Sequence, residues 1–239
     1  MFGIKIDRIS KSEVLEKIPG FIKSGRAHLI VTLNIISIFE ALADREFFEI
    51  INKASLRIAD GIGVVLASRL SGNPVKERIP GIDLIYPICE FASKENFSLF
   101  FLGADEGITL QVKKNLLKSF SNLKIVGTHK GFFNREEEKS LIEKIRMLKP
   151  DIVFVGMGQP LQEKWISENL IPMGIPVSIG IGGSFDVIAG KLKRAPKIFQ
   201  TLGLEWLYRI IQEPSRIKKW GRVHILFKKL FGISTFEKK

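Results

Sequence analysis

A single cysteine, Cys89, in 239 residues excludes a disulfide framework and a cysteine-rich zinc site, and fits a reducing compartment. The three histidines, His28, His129 and His224, stand far apart, with no pair at metal-ligating spacing. No Asp-x-Asp occurs anywhere, so the simplest carboxylate pair for holding a divalent metal beside a diphosphate is missing. Long hydrophobic runs are missing too. The longest, Leu29–Phe39, is interrupted by Thr32, Asn34 and Ser37 and is far too short to span a bilayer. The opening MFGIKIDRISKSEV lacks the apolar centre of a secretory signal, and a protein made and kept in the cytoplasm is expected. Neither GxGxxG nor GxxxxGK[ST] is found, which disfavours dinucleotide-binding Rossmann and P-loop readings. What the chain does have is material for a core. At 45% hydrophobic and 26% charged, it suits one globular domain, or a domain with an appendage, and wholesale disorder is excluded.

The net charge of +12 is unevenly placed. From Lys191 to Lys239 there are thirteen Lys or Arg against three Glu, whereas the first 190 residues are close to neutral. A basic tail prefers phosphate, whether on nucleic acid, an anionic membrane or a phosphorylated ligand; a soluble charged helical surface is the plainer alternative. Within the tail, Ile217, Trp220, Val223, Phe227 and Leu230 recur at steps of three or four, and Arg216, Lys218, Lys219, Arg222, Lys228 and Lys229 surround them. An apolar stripe with an indole and a basic surround suits a helix lying in a membrane interface, and each cation adds about 1 kcal/mol near an anionic leaflet. Packing of that stripe on the chain's own body is the competing reading. Left uncovered, the stripe would drive self-association into a homo-oligomer.

Along the chain, Ser10 and Glu13 form a capping-box signature opening a helix towards Ile22. Short apolar strands are expected at His28–Leu33, Ser55–Ala59, Phe97–Leu102, Leu123–Thr128, Asp151–Val155 and Pro176–Ile181. Helices are expected at Ile35–Ala43, after Gly61 through Ala67, at Gly81–Phe91 with a kink at Pro87, and at Ile108–Phe120, Glu136–Met147 and Leu161–Glu168. This alternation predicts an α/β fold: a mostly parallel, Rossmann-like sheet with helices on both faces. Pro196 and Pro214 punctuate a helical tail, with helices near Lys197–Glu213 and Ser215–Phe231. The expected division is a catalytic α/β domain over residues 1–195 and a basic, amphipathic membrane-association appendage over 196–239.

Ligands of a parallel sheet bind at the carboxyl ends of its strands, and four places there carry polar residues or glycines. Thr32 and Asn34 point to one side of an extended chain and offer a hydroxyl and an amide, although Asn34 also suits a helix N-cap. Asp60 sits in Ala59-Asp60-Gly61-Ile62-Gly63, where a carboxylate can act as general base or, again, as an N-cap. Gly156–Trp165 places Gln162 and Glu163 at the opening of a helix whose positive end suits phosphate or sugar hydroxyls, or simply makes them first-turn residues. Gly182, Gly183 and Ser184, followed by Asp186, resemble a diphosphate cradle. With no metal motif, a bound diphosphate would be neutralised by backbone NH groups and by Arg78, Lys193, Arg194, Arg209 or Arg216.

In order along the chain stand Thr32-x-Asn34, Ala59-Asp60-Gly61-x-Gly63, Glu77-Arg78-x-x-Gly81-x-Asp83 and Gly158-x-Pro160-x-Gln162-Glu163-Lys164-Trp165. Gly182-Gly183-Ser184-Phe185-Asp186, Lys193-Arg194-Ala195-Pro196 and Gly203-Leu204-Glu205-Trp206-Leu207-x-Arg209 follow. Each motif is weak alone; seven in order, covering nearly the whole chain, resemble the WecG/TagA/CpsF glycosyltransferases. Leu33 stands where relatives commonly carry proline.

The resemblance implies transfer from a UDP-sugar donor to a polyprenyl-diphosphate-linked sugar acceptor, with inversion and without metal or other cofactor. Its nearest expression is transfer of N-acetylmannosamine from UDP-ManNAc to the 4-hydroxyl of undecaprenyl-diphosphate-linked GlcNAc, in teichoic acid linkage-unit synthesis. It implies Asp60 as catalytic base with Thr32 beside it, and Asn34, Arg78, Gln162 and Asp186 in the donor pocket. The basic tail, with Arg209 and Arg216, would meet the diphosphates and the inner face of the cell membrane.

Another UDP-hexose or uronic acid donor is the alternative within the family, because single methyl- or carboxyl-sized changes in a pocket decide the sugar. Outside it, a nucleic-acid-binding module would use the same basic surface. The tail aromatics are too few and too stripe-like for a stacking platform, so nucleic acid is not an expected partner. A nicotinamide-dependent oxidoreductase lacks its glycine fingerprint.

Overall fold

The computed structural model of the protein describes residues 1–217, with Arg216 described in its backbone alone. The chain runs α1 (Lys11–Lys23), β1 (His28–Leu33), α2 (Ile35–Ala43), α3 (Arg45–Lys53), β2 (Leu56–Ala59), α4 (Ile62–Leu70) and α5 (Gly81–Glu95). It continues through β3 (Ser98–Gly103), α6 (Ile108–Ser119), β4 (Lys124–His129), α7 (Arg135–Leu148), β5 (Ile152–Gly156), α8 (Leu161–Met173) and β6 (Val177–Gly180). Three short helices follow, α9 (Ser184–Ile188), α10 (Lys197–Thr201) and α11 (Glu205–Gln212), and then a 3-10 turn at Pro214–Arg216.

The six strands form one sheet in the order β2-β1-β6-β5-β3-β4, and every pairing is parallel. The sheet is therefore wholly parallel, which sharpens the expectation of a mostly parallel one. Its inner strands, β1, β6, β5 and β3, are almost wholly buried because both faces are covered, whereas the edge strand β4 is largely not. Alternate residues feed two cores: Ile30, Leu99, Phe101, Ile152 and Phe154 pack with residues of α1, α5 and α6. Leu29, Val31, Phe100, Leu102, Val153 and Val155 pack with residues of α2, α3, α7 and α8 on the other face.

The expected capping box is present, with Ser10 Oγ accepting from the Glu13 N–H at 3.2 Å and the Glu13 carboxylate accepting from the Ser10 N–H at 2.7 Å. Two departures from the periodicity reading have clear causes. Helix α3 was not anticipated between Ala43 and the second strand. It begins afresh because Asp44 leaves the helical conformation and its side chain caps the new helix through the Phe47 N–H at 3.1 Å. The single helix expected over Lys197–Glu213 is instead α10 and α11, broken at Gly203. That glycine has φ +72°, and a Cβ on it would lie 2.5 Å from Cβ of Ile62, so the chain turns tightly against the start of α4. The helix expected near Ser215–Phe231 and the Trp220 stripe lie, apart from their first residues, outside the described residues.

Candidate functional site

A cleft of about 720 Å³ opens at the carboxyl ends of the strands, where the parallel topology places it. Its walls bring together Thr32, Asn34, Asp60, Arg78, Gln162 and the Gly182–Asp186 loop, residues scattered over more than 150 positions of sequence. Arg209 joins them from α11, so the first part of the tail closes one side of the cleft.

Asp60 follows the last residue of β2, and its backbone N–H donates to the Leu33 carbonyl at 2.9 Å, which continues the ladder beside β1. It does not cap α4; Gly61 occupies that position and makes no side-chain cap. Instead the half-buried Asp60 carboxylate accepts from the Gly81 N–H, and burial pushes its pKa up to about 6. Arg78 opposes that rise, while the negative charges of Glu205 and Asp83 add to it. A carboxyl in this state is ionised at neutral pH yet more basic than an ordinary aspartate. Room for the corner comes from glycine. A Cβ on Gly63 would stand 2.9 Å from Cβ of Ile35, and one on Gly61 3.1 Å from Cβ of Asn34, so α4 can start directly against the start of α2.

Thr32 is buried in β1, and its hydroxyl donates to the Gly180 carbonyl at 2.9 Å, which leaves its oxygen able to accept. A Cβ on Gly81 would lie 3.6 Å from Thr32 Cγ2, so Thr32 and Asp60 converge on this one glycine from adjacent strands. Asn34 is the N-cap of α2 and also lines the cleft. Its Oδ1 caps α2 by accepting from the N–H groups of Ile36 and Ser37, and its Nδ2 donates to Gln159 Oε1 at 3.2 Å at the cleft wall.

Gln162 is fully buried, and its amide is committed to the protein. Oε1 accepts from Gly158 N–H at 3.2 Å and Gly182 N–H at 3.0 Å, while Nε2 donates to Glu163 Oε1 at 2.7 Å. In the glycine loop, Ser184 Oγ donates to the Ile181 carbonyl at 2.7 Å, and the Gly183 carbonyl accepts from Arg209 at 2.8 Å. Asp186 lies 3.5 Å from Lys191 Nζ and 3.8 Å from Arg209.

Charges stitch the tail across the opening. Arg78 pairs with Glu205 at 2.8 Å, Arg194 with Asp83 at 2.7 Å, and Arg209 with Glu213 at 3.0 Å. Gln212 adds a reciprocal pair of hydrogen bonds with the backbone of Lys193, both 2.9 Å. Residues 191–215 therefore form a strap that lines the cleft as well as following the body. The strap's arginines and acids alternate at the mouth, where a diphosphate would compete with the carboxylates for the guanidinium groups. Arg216, expected to contribute, lies outside the described side chains.

The bonding of three residues escaped the sequence reading. Gln159 ties Asn34 to the Thr32 carbonyl, Glu163 receives both glutamines, and Glu205 reaches Arg78 from the strap. Gln159 and Glu163 stood inside a motif already singled out, but nothing in spacing shows which amide meets which carboxyl. Among the described residues, no group of three or more His, Cys, Asp and Glu side chains could hold a metal ion, and no helix is long and apolar enough to cross a membrane.

The sequence profile described as the glycosyl transferase WecG/TagA/CpsF family matches residues 1–235. Among curated relatives, N-acetylglucosaminyldiphosphoundecaprenol N-acetyl-beta-D-mannosaminyltransferases of Staphylococcus aureus strains MW2, NCTC 8325 / PS 47 and COL are each 34% identical over 232 residues. The alignments cover 96% of this chain and 91% of those proteins. Likeness of that extent takes in every wall of the cleft, from Thr32 to Arg209, and the chain belongs to the WecG/TagA/CpsF family of glycosyltransferases.

Proposed function

We propose that the protein transfers N-acetylmannosamine from UDP-ManNAc to the 4-hydroxyl of undecaprenyl-diphosphate-linked GlcNAc, with inversion at the anomeric carbon and without a metal ion. The observation that carries this reading is the placement of Asp60: a carboxyl made more basic by burial, in a cleft that Arg78, Arg194 and Arg209 also line. The activity for which the staphylococcal relatives are named supports the transferred sugar and the acceptor class.

In this mechanism Asp60 accepts the proton of the acceptor hydroxyl as its oxygen attacks the anomeric carbon from the face opposite the departing UDP. The Gly81 N–H holds the carboxylate in place, and the Thr32 oxygen accepts a hydrogen bond from a sugar hydroxyl beside it. Negative charge grows on the leaving diphosphate, and Arg78 and Arg209 stabilise it after exchanging their carboxylate partners for phosphate oxygens. Arg216 would add a further positive charge. Asn34 and Gln162 keep the adjoining loops in register, and the Gly182–Ser184 turn with Asp186 borders the donor. The missing Asp-x-Asp suits a site in which arginines carry the phosphate charge.

The acceptor is lipid-borne, so the cleft has to work at a membrane surface. Ile198, Leu202 and Ile211 on the strap, and Ile217 just after it, are all exposed, and the basic sequence continues beyond them. This apolar and cationic combination suits peripheral attachment to the inner leaflet.

The test is a transfer assay with UDP-ManNAc, UDP-GlcNAc and UDP-glucose against a short-chain polyprenyl-diphosphate GlcNAc, with and without EDTA. Product from UDP-ManNAc alone, β-linked by NMR and unchanged by the chelator, is expected. Transfer of a different sugar, retained anomeric configuration or loss of activity with EDTA would each refute the corresponding part.

A further inference from the structure

Glu163 has no part in the chemistry just described, yet it occupies an unusual position. It lies at the first turn of α8, fully buried, behind the cleft wall. Its Oε1 accepts from two amides at once, Gln159 Nε2 at 3.0 Å and Gln162 Nε2 at 2.7 Å. Its Oε2 is buried and has no hydrogen-bond partner among the described residues.

A carboxyl oxygen that accepts from two amides also decides which way both amides face, since each must turn its NH₂ group inward and its carbonyl outward. The outward carbonyl of Gln159 takes the Nδ2 of Asn34, while its inward Nε2 also reaches the Thr32 carbonyl at 2.9 Å. The outward carbonyl of Gln162 takes the N–H groups of Gly158 and Gly182. Turned the other way, the Gln162 NH₂ would face two N–H donors. One oxygen thus sets β1, the Gly156–Pro160 loop and the Gly182 turn relative to one another.

We propose that Glu163 is the positioning residue of the transferase site: as a neutral acid, with Oε1 as the shared acceptor and the proton on Oε2, it fixes the Gln159 and Gln162 amides and through them the two glycine loops that border the donor. The neutral form is supported by the surroundings. An ionised Oε2 would be a buried charge without a partner, and burial pushes the Glu163 pKa up to about 7. Gln162, Gln159 and the residue's own backbone N–H act against that rise, and the negative charge of Glu40 in α2 adds to it. Gly180 makes the packing possible, because a Cβ there would meet Gln162 Nε2 at 2.7 Å and Glu163 Oε1 at 2.9 Å.

The inference rests on the transferase reading for its kinetic readout, and hydrogen exchange gives it a second that does not. Three variants of the full chain are compared: Glu163→Gln, which keeps an acceptor at Oε1 and places NH₂ at the unpartnered position; Glu163→Ala, which removes the acceptor; and Gly180→Ala, which crowds it. Glu163→Gln should retain kcat within about threefold. Glu163→Ala and Gly180→Ala should lower it by about 10²-fold, the scale of an ångström-sized misplacement, at donor saturation. Amide exchange at Gly158 and Gly182, read by mass spectrometry, should accelerate at least tenfold in Glu163→Ala and stay unchanged in Glu163→Gln.

Should Glu163→Ala fail to fold, the glutamine and Gly180→Ala variants still decide. Glu163→Gln as impaired as the other variants would show that the acid itself, not the acceptor, is needed, and would overturn the proposal. So would wild-type kcat and wild-type glycine exchange in Glu163→Ala or Gly180→Ala. A wild-type enzyme inactive on the lipid-linked substrate would count against the function above, while the exchange pattern would still test Glu163.

Discussion

Asp60 and Glu163 are both acidic residues pushed up by burial, and they differ in what surrounds them. Asp60 is half-buried, lines the cleft and has charged neighbours: Arg78, which favours its ionised form, and Glu205 and Asp83, which disfavour it. Glu163 is sealed behind the wall, has two neutral amides for partners, and has one oxygen with none. The first arrangement suits a group that changes protonation during turnover, because solvent and substrate can reach it. The second suits a group whose surroundings favour the neutral form and which sets geometry. A raised pKa alone does not separate a base from a scaffold; access and partners do.

The sharpest way to break the comparison is to neutralise each carboxyl in turn. Asp60→Asn should lower turnover by about 10³-fold, within the range for losing a general base, while UDP binding by calorimetry stays within about threefold. Turnover near the wild-type level would place the base elsewhere and leave the two carboxyls equivalent.

Stability measured against pH should separate them next. Asp60 is raised from 3.8 to about 6, so the unfolded chain releases this proton first and the folded state loses stability as pH rises from about 4 to about 6. Asp60→Asn removes that loss: its advantage should grow across the same window and level off above it at about 2 kcal/mol, the shift being worth ~3 kcal/mol before partial exposure is allowed for. For Glu163→Gln the window is later, from about 4.5 to about 7, following the Glu163 rise. Urea unfolding at four pH values reads both curves, and coincident curves would remove the distinction.

A smaller effect is expected from the strap. Gly203→Ala forces a left-handed φ on alanine and presses its Cβ against Ile62, which should cost about 1–3 kcal/mol in unfolding experiments. Because the strap carries Glu205 to Arg78, whereas the Gly158 N–H is held by Gln162 Oε1, exchange at Gly158 should remain as in the wild type. Faster exchange there would mean that the strap and the hub are coupled.

Much of the frame was legible beforehand because it depends on local pattern. Six apolar strands between amphipathic helices specify a parallel sheet, and a parallel sheet specifies the end at which Asp60, Thr32 and Gly182 meet. The Asn34 cap was readable from its place after a strand, although its bond to Gln159 was not. Gln159 and Glu163 are four residues apart on paper, but what joins them to Thr32 and Gly182 spans well over a hundred residues and a choice of amide orientation, neither of which leaves a periodicity. The break at Gly203 was hidden for a related reason. Apolar residues continue in helical register on both sides of it, and the cause of the turn, contact with Ile62, is distant in sequence.

The central claim is that Asp60 takes the acceptor's proton, and the pH dependence of kcat/KM tests it most directly. The wild type should lose activity as pH falls through about 6, where Asp60 becomes protonated, and Arg78→Gln should move that limb to higher pH because Arg78 favours the ionised form. A profile flat down to pH 4.5, or a limb that stays in place without Arg78, would contradict it.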